Sequence, residues 1–353
     1  MAEKKYFKHK LKKDDTVNSI SLELGITPFE VVGFHNANCK NEDVIIHNIP
    51  IHLTEIFVYP YIRELKKENY PAVVFNGLST LQVKPDNKKN NYGVTYTISN
   101  GDNQIDTMSF QVSVICKKKD QTGLHYEIER ISNTFINNEE TTSIADELAE
   151  KVAKVLYPLN IVVDETGKWT EITNFEEIKK RWNTLKSKIF EDYEGDWVQK
   201  YVELNEQTLA SKSNIEMALK YDWFLNTLFG GIYVNYTYKF NFKNTISFPI
   251  LANVKPLIYS VDQTIDPYLD EFLQIDLEQK GVLAEERSKA DLQNKLAFPQ
   301  HSVEDKGVEK ATGAFKAKYF LNTKSNVIES VYLECSVILD KLKKVEIVIS
   351  IIE

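Results

Sequence analysis

Cysteine is scarce in this sequence: Cys39, Cys116 and Cys335 are three residues in 353, far apart and never in a Cys-x-x-Cys pair. A disulfide framework and a zinc knuckle are thereby excluded as the basis of the fold. Glycine (13) and proline (10) are too few for a collagen-like or low-complexity chain, and 27% charged with 42% hydrophobic residues is a globular composition. An excess of positive charge is also lacking, since 43 Lys plus Arg stand against 51 Asp plus Glu, a formal charge of −8. That balance argues against a nucleic-acid partner, whose phosphates demand a dense basic surface.

Long apolar runs are missing as well. The most apolar stretch, residues 345–352, is interrupted by Glu346 and Ser350 and falls far short of the roughly 20 residues of a membrane helix. Lys4, Lys5, Lys8, Lys10, Lys12 and Lys13 open the chain like the charged region of a signal peptide, yet no apolar stretch of about 7–15 residues follows. The expectation is a chain made in the cytoplasm, without a cleavable signal peptide or a membrane span, and exported, if at all, by a specialised machine.

What is present suffices for a sizeable core divided between a small module and a larger domain. Residues 5–58 read as strand, helix, helix, strand, and residues 59–69 have the polarity of a linker. A β-rich stretch fills residues 70–136, with period-two alternation from Tyr92 to Ile98 and from Met108 to Val114. Helices dominate residues 142–230. Ser143 caps one carrying Ile144, Leu148, Val152 and Val155, and Asn174 with Glu177 predicts a capping box for another carrying Ile178, Trp182, Leu185 and Ile189. Further helices are expected over 196–209 and 213–228. Strands resume at 231–353, the first expected over 232–242 with Val234, Tyr236, Tyr238, Phe240 and Phe242 on one face. A charged stretch, 279–312, is expected to hold a surface helix over 283–296. The fold class is therefore α+β: a small βααβ module followed by an antiparallel β-rich domain with a helical insertion.

One pattern is recognisable. Lys13-Asp14-Asp15-Thr16-Val17 follows the first strand, Ile20 lies in the first helix, and Leu24-Gly25-Ile26-Thr27 turns into the second, which carries Val31, Val32 and Asn36. Ile45, Asn48, Ile51, Leu53 and Thr54 close the segment. These residues resemble the LysM family, βααβ modules that bind N-acetylglucosamine-containing glycans such as peptidoglycan and chitin. Asp14 stands where the family has glycine, and Thr54 where it has proline. The resemblance covers about 15% of the chain. It implies a groove between two loops, with Asp15, Thr16 and Val17 on one side and Asn41, Glu42, Asp43, Val44 and Ile45 on the other. The implied ligand is a peptidoglycan-type glycan. LysM modules also occur in hub and baseplate proteins of phage tails, so a protein partner in a contractile, type VI secretion-like injection machine is the alternative, the chain then being a structural or cargo-adaptor component.

No linear motif points to catalysis, and the expectation is a non-enzymatic protein with no catalytic residue, metal or cofactor. His35, His47 and His52 lie in the small module, but a probable strand would aim His47 and His52 apart. Asp164-Glu165-Thr166-Gly167 reads as a hairpin turn. Glu191, Asp192, Glu194 and Asp196 read as a solvated face at a helix end. Cys116 with His125 lacks any supporting motif. The stripe from Tyr236 to Phe242 reads as a core face, and Trp169, Trp182, Trp197 and Trp223 as packing or partner surface. Residues 345–352, apolar on both faces, must be paired centrally or covered.

Overall fold

A computed structural model describes residues 7–24, 28–46, 48–58, 71–75, 80–85, 87–101, 105–140, 143–237, 240–300 and 308–352. The fold is mixed α and β, and mostly β. The expected linker, residues 59–69, lies outside the described residues.

Two hydrophobic clusters organise the chain. In the small one, β1 (Phe7–Lys10) pairs antiparallel with β2 (Glu55–Val58), and α1 (Val17–Leu24) and α2 (Pro28–Asn38) complete a βααβ order. Ile20, Val31, Ile45, Ile56 and Val58 are its buried centre. The closing strand lies later than the pattern of Ile51 and Leu53 places it. Ile51 is fully exposed, and the buried apolar pair of the strand is Ile56 and Val58. His52 sits in a turn and not on a strand, so the opposite-face argument for His47 and His52 does not apply; His47 lies outside the described residues.

The large cluster is built on one antiparallel sheet. Its strands are β3 (Asn90–Asn100), β4 (Ile105–Asp120), β5 (Gly123–Arg130), β8 (Leu159–Val163), β9 (Trp169–Ile172), β10 (Asn241–Phe248), β11 (Leu257–Ile265), β12 (Gln274–Leu283), β13 (Thr312–Asn322), β14 (Ile328–Ile338) and β15 (Leu342–Ile351), with the short β6 (Phe135–Ile136) and β7 (Glu139–Glu140) beside β4. The order is β10-β11-β12-β13-β14-β15-β3-β4-β5-β8-β9. The last strand, β15, is central, bonded to β14 on one side and β3 on the other. This pairing removes the edge hazard that its apolar sequence creates, and joins the strands before and after the helical segment into one sheet.

One face of the sheet is apolar. Tyr92, Val94 and Tyr96 of β3 lie on it with Val345, Ile347 and Ile349 of β15 and Val331, Leu333, Cys335 and Val337 of β14. Four buried tyrosines each donate their hydroxyl to a backbone carbonyl: Tyr92 to Ile328 at 2.8 Å, Tyr233 to Asn326 at 2.8 Å, Tyr259 to Ser336 at 3.1 Å and Tyr319 to Thr227 at 3.3 Å. A large ring is thus buried without an orphaned hydroxyl.

The helices are α3 (Ile144–Val155), α4 (Phe175–Asp192), α5 (Asp196–Leu209), α6 (Lys212–Leu219), α7 (Trp223–Leu228) and α8 (Lys289–Gln293). Ser143 caps α3 as expected, accepting the Asp146 N–H. The capping box at Asn174 does not form. Asn174 instead accepts the Asn160 N–H at 3.0 Å and donates to the Pro158 carbonyl at 2.7 Å, so the buried side chain serves tertiary backbone groups and leaves the helix end. The helix expected over 213–228 is two helices, because Asp222 accepts the Leu225 N–H at 2.7 Å and starts α7 afresh. That redirects Phe224, Leu225 and Leu228 into the core.

The strand expected over 232–242 is also corrected. Residues 232–237 are not a strand, and β10 begins only at Asn241. Both Tyr233 and Tyr236 are buried, although three positions apart they would face opposite sides of a strand. Gln263 holds this turn, donating to the Ile232 carbonyl at 3.0 Å and the Tyr236 hydroxyl at 2.6 Å. Tyr238 lies outside the described residues. The surface helix expected over 283–296 is replaced by an extension of β12 to Leu283 and the short α8, whose capping box joins Ser288 and Asp291.

Candidate functional site

The loop after β1 is shaped by its own polar side chains. Asp14 takes a left-handed conformation with φ +71°, where glycine is unstrained and Asp is among the more tolerant residues. Asp15 Oδ2 accepts the Lys12 N–H at 2.7 Å, and this bond holds its carboxyl below the usual carboxylate range. Thr16 and Ser19 exchange bonds at the start of α1, Ser19 N–H to Thr16 Oγ1 at 3.0 Å and Thr16 N–H to Ser19 Oγ at 2.9 Å. This reciprocal arrangement satisfies two otherwise orphaned donors. His9 is buried beside Asp15, its Nε2 3.9 Å from Oδ2.

The loop before β2 is clamped from behind by α2. Residues Asn41–Asp43 form a single 3-10 turn. His35, fully buried, has Nε2 3.0 Å from the Asp43 carbonyl and accepts the Phe57 N–H through Nδ1 at 3.0 Å. This geometry casts Nε2 as the donor to the Asp43 carbonyl and Nδ1 as the acceptor of the Phe57 N–H. Asn36 donates to the Ile45 carbonyl at 2.8 Å and accepts the Ile45 N–H at 2.9 Å. His52 Nε2 lies 3.0 Å from Asp43 Oδ1. The loop backbone is thus tied to a helix and to the closing strand.

The eight residues of the expected groove divide by role. Val17 and Ile45 meet on the small core, Ile45 buried and Val17 packed against it. Asp15 and Thr16 have their side chains committed to the first loop and helix start. Asn41 and Glu42 are exposed, and Asp43 and Val44 are half-buried. Asp14, at the position where the family pattern has glycine, is the residue that takes a left-handed conformation in this loop. His35, weighed in the sequence only as one of three histidines of the small module, is the residue missed. Its signal was its place beside Asn36 on the helix that faces the loop.

Elsewhere the sequence candidates separate. The Cys116 thiol is buried, 3.6 Å from the Lys118 carbonyl, while His125 lies 2.9 Å from Asp120 and 3.0 Å from Thr122 Oγ1. Burial also pushes the Cys116 thiol above its ordinary pKa, the opposite of an activated nucleophile. Residues 164–167 form a hairpin turn in which Thr166 N–H and hydroxyl both bond Asp164 Oδ1 and Gly167 has φ +83°. Glu191, Asp192, Glu194 and Asp196 are all exposed. Trp169 and Trp182 are buried, Trp223 is half-buried, and Trp197 is 47% exposed. Among the described residues no group of three or more His, Cys, Asp or Glu side chains is placed to hold a metal ion, and no helix is long and apolar enough to cross a membrane.

No protein-family model matches the chain, and a search of curated proteins finds no match either. Among solved structures the chain is similar to lipovitellin, in a study of lipid–protein interactions in that protein. The identity is 9%, the match covers 77% of this chain and 25% of that one, and the TM-score is 0.42. The chain thus spans about a quarter of lipovitellin's length.

Proposed function

We propose that the chain is a non-enzymatic binding protein whose N-terminal part is a LysM-type module. It recognises an N-acetylglucosamine-containing glycan of the peptidoglycan type, held between Asp15, Thr16 and Val17 on one loop and Asn41, Glu42, Asp43, Val44 and Ile45 on the other. The observation that carries this reading is the clamp on the second loop. His35 and Asn36 fix the backbone at Asp43 and Ile45, so the loop enters binding already ordered. A ligand recognised through backbone N–H and C=O groups gains most from such preorganisation. The polar side chains of the first loop serve the same end, because they hold backbone geometry and leave little for direct contact.

Co-sedimentation with purified peptidoglycan tests it. The intact chain is expected to pellet with the glycan, and Asn41→Trp or Glu42→Arg, at exposed positions outside the clamp, to reduce the bound fraction severalfold. An intact chain that stays in the supernatant would sink the glycan reading.

A second reading has its own support. Phe29, Ile46 and Ile51 are 76%, 78% and 103% exposed, an apolar display on a small module that suits a protein surface better than a sugar. On this reading the module docks on a protein of a contractile injection machine and the chain is a structural or cargo-adaptor component. Neighbouring genes encoding a tail tube, sheath or spike protein, together with loss of binding to the purified partner in Ile46→Glu, are the expected results.

A further inference from the structure

An apolar cavity lies against the inner face of the large sheet, outside the small module. Its floor is made by Tyr92 of β3, Val114 and Cys116 of β4, Tyr126 of β5 and Val163 of β8. Phe229 and Tyr233, which follow α7, and Ile328, which opens β14, complete the wall. The cavity offers about 40 Å³ to the centres of water-sized spheres, where a single water needs roughly 10–15 Å³ on the same measure. Close-packed interiors keep few voids of that size. Among the described residues no carboxylate lines it. Asn87 and Lys88, both exposed, and the half-buried Asn90 form a polar rim, and Lys88 has a partner of its own.

The walls are pinned, which keeps the cavity from closing. Tyr92 and Tyr233 each hold a backbone carbonyl at 2.8 Å, those of Ile328 and Asn326, so either ring swings into the space only by giving up that bond. Tyr233 is also seated over Gly167, where a Cβ would lie 2.3 Å from its ring. Tyr126 packs on Phe229 with ring centres 5.2 Å apart. The same bonds leave little to hold water, which needs about two to four polar partners to stay in a buried site. Both of those hydroxyls are spent, and the Cys116 thiol faces the Lys118 carbonyl at 3.6 Å. Wall atoms beside such a space lack dispersion contacts that an apolar guest restores.

We propose that this cavity takes the short alkyl end of a small neutral amphiphile, whose polar group stays at the rim beside Asn87 and Asn90. An apolar floor with a few polar groups at its mouth is the usual make-up of a small-molecule site. This assigns a ligand class to the large domain, and it stands whether the small module takes glycan or protein.

Straight-chain alcohols from ethanol to octanol test it on the full chain, followed by the methyl NMR signals of Val114, Val163 and Ile328. Those signals are expected to shift, and affinity to rise about fourfold with each added methylene until the chain fills the floor, then to level off. Cys116→Leu fills part of the floor and is expected to weaken butanol about tenfold or more, the space of roughly two methylenes at fourfold each. Val163→Ile is the gentler filling variant, expected to bring the levelling-off to a shorter alcohol. Near-ultraviolet circular dichroism identical to wild type establishes that a variant is folded. The proposal is overturned by methyl signals that do not move, or by affinity that climbs evenly through octanol, as in partition onto an open surface. Wild-type binding in a folded filling variant overturns it as well.

Discussion

Glu285 and Arg287 form a two-pronged ion pair, with Arg287 Nε–H donating to Oε1 and an Nη2–H donating to Oε2, both at 2.8 Å, and the two side chains only 6% and 3% exposed. Arg287 also donates to the carbonyls of Leu296 at 3.1 Å and Lys255 at 3.0 Å. The guanidinium therefore ties the end of β12 to the loop between β10 and β11 and to the segment after α8.

Arg287→Met strands the Glu285 carboxylate in this site, and a loss of about 3–5 kcal/mol is expected, the range for breaking a buried pair from one side. The double change Glu285→Leu with Arg287→Met is expected to recover most of it. Urea unfolding of the three proteins at neutral pH checks both outcomes.

The same pair sets a pH dependence. Burial pushes the Glu285 carboxyl up, its bonds to Arg287 more than offset this, and its pKa lies below the ordinary carboxylate value. A depressed folded-state pKa means that the contribution is complete above the unfolded value of about 4.3 and is lost as pH falls through the folded value. The urea midpoint of the wild type is expected to fall more steeply below about pH 4 than that of the double variant. Parallel curves would show that this carboxylate contributes nothing to acid sensitivity.

Asp14→Gly relieves the left-handed backbone at φ +71° at a position where the LysM pattern itself has glycine. A gain of about 0.5–1 kcal/mol is expected, the relief of strain being partly offset by the added freedom of the unfolded chain. Amide exchange within β1 and α1 reads it as slower local opening. Faster exchange would mean that the Asp14 side chain supplies a contact outweighing the strain.

Asn36→Ala leaves the Ile45 N–H and carbonyl without their shared partner. The expected loss is about 1–3 kcal/mol, seen as lost exchange protection at the Ile45 amide. If the clamp preorganises the groove, peptidoglycan co-sedimentation weakens in parallel. Retained glycan binding with a mobile Ile45 would separate the clamp from recognition.

Gly167→Ala tests the hairpin's seat on the core. A Cβ there would lie 2.3 Å from Tyr233 Cδ2, and the backbone has φ +83°. Strain of about 1–2 kcal/mol adds to overpacking of about 1–3 kcal/mol, read as a lowered urea midpoint. A midpoint equal to wild type would show that Tyr233 can move aside.

Period-two alternation from Tyr92 to Ile98 and from Met108 to Val114 is enough by itself to identify β3 and β4, because a half-buried strand must alternate. The apolar residues of 345–352 required a central or covered strand, and β15 is central. Ser143 as a helix cap was readable for a related reason: capping is a contact between neighbours in sequence. Local chemistry could not decide matters that depend on distant groups. Asn174 had the sequence of a capping residue but was captured by backbone groups at Asn160 and Pro158. The alternation after Ile232 had the look of a strand, yet Gln263, some thirty residues on, holds Tyr236 in a turn. Lys343 looks like one more lysine in a charged run. Only pairing with β14 and β3 places it on the buried face, since the side of a sheet a residue takes is set by register with its neighbours, and register is a long-range property.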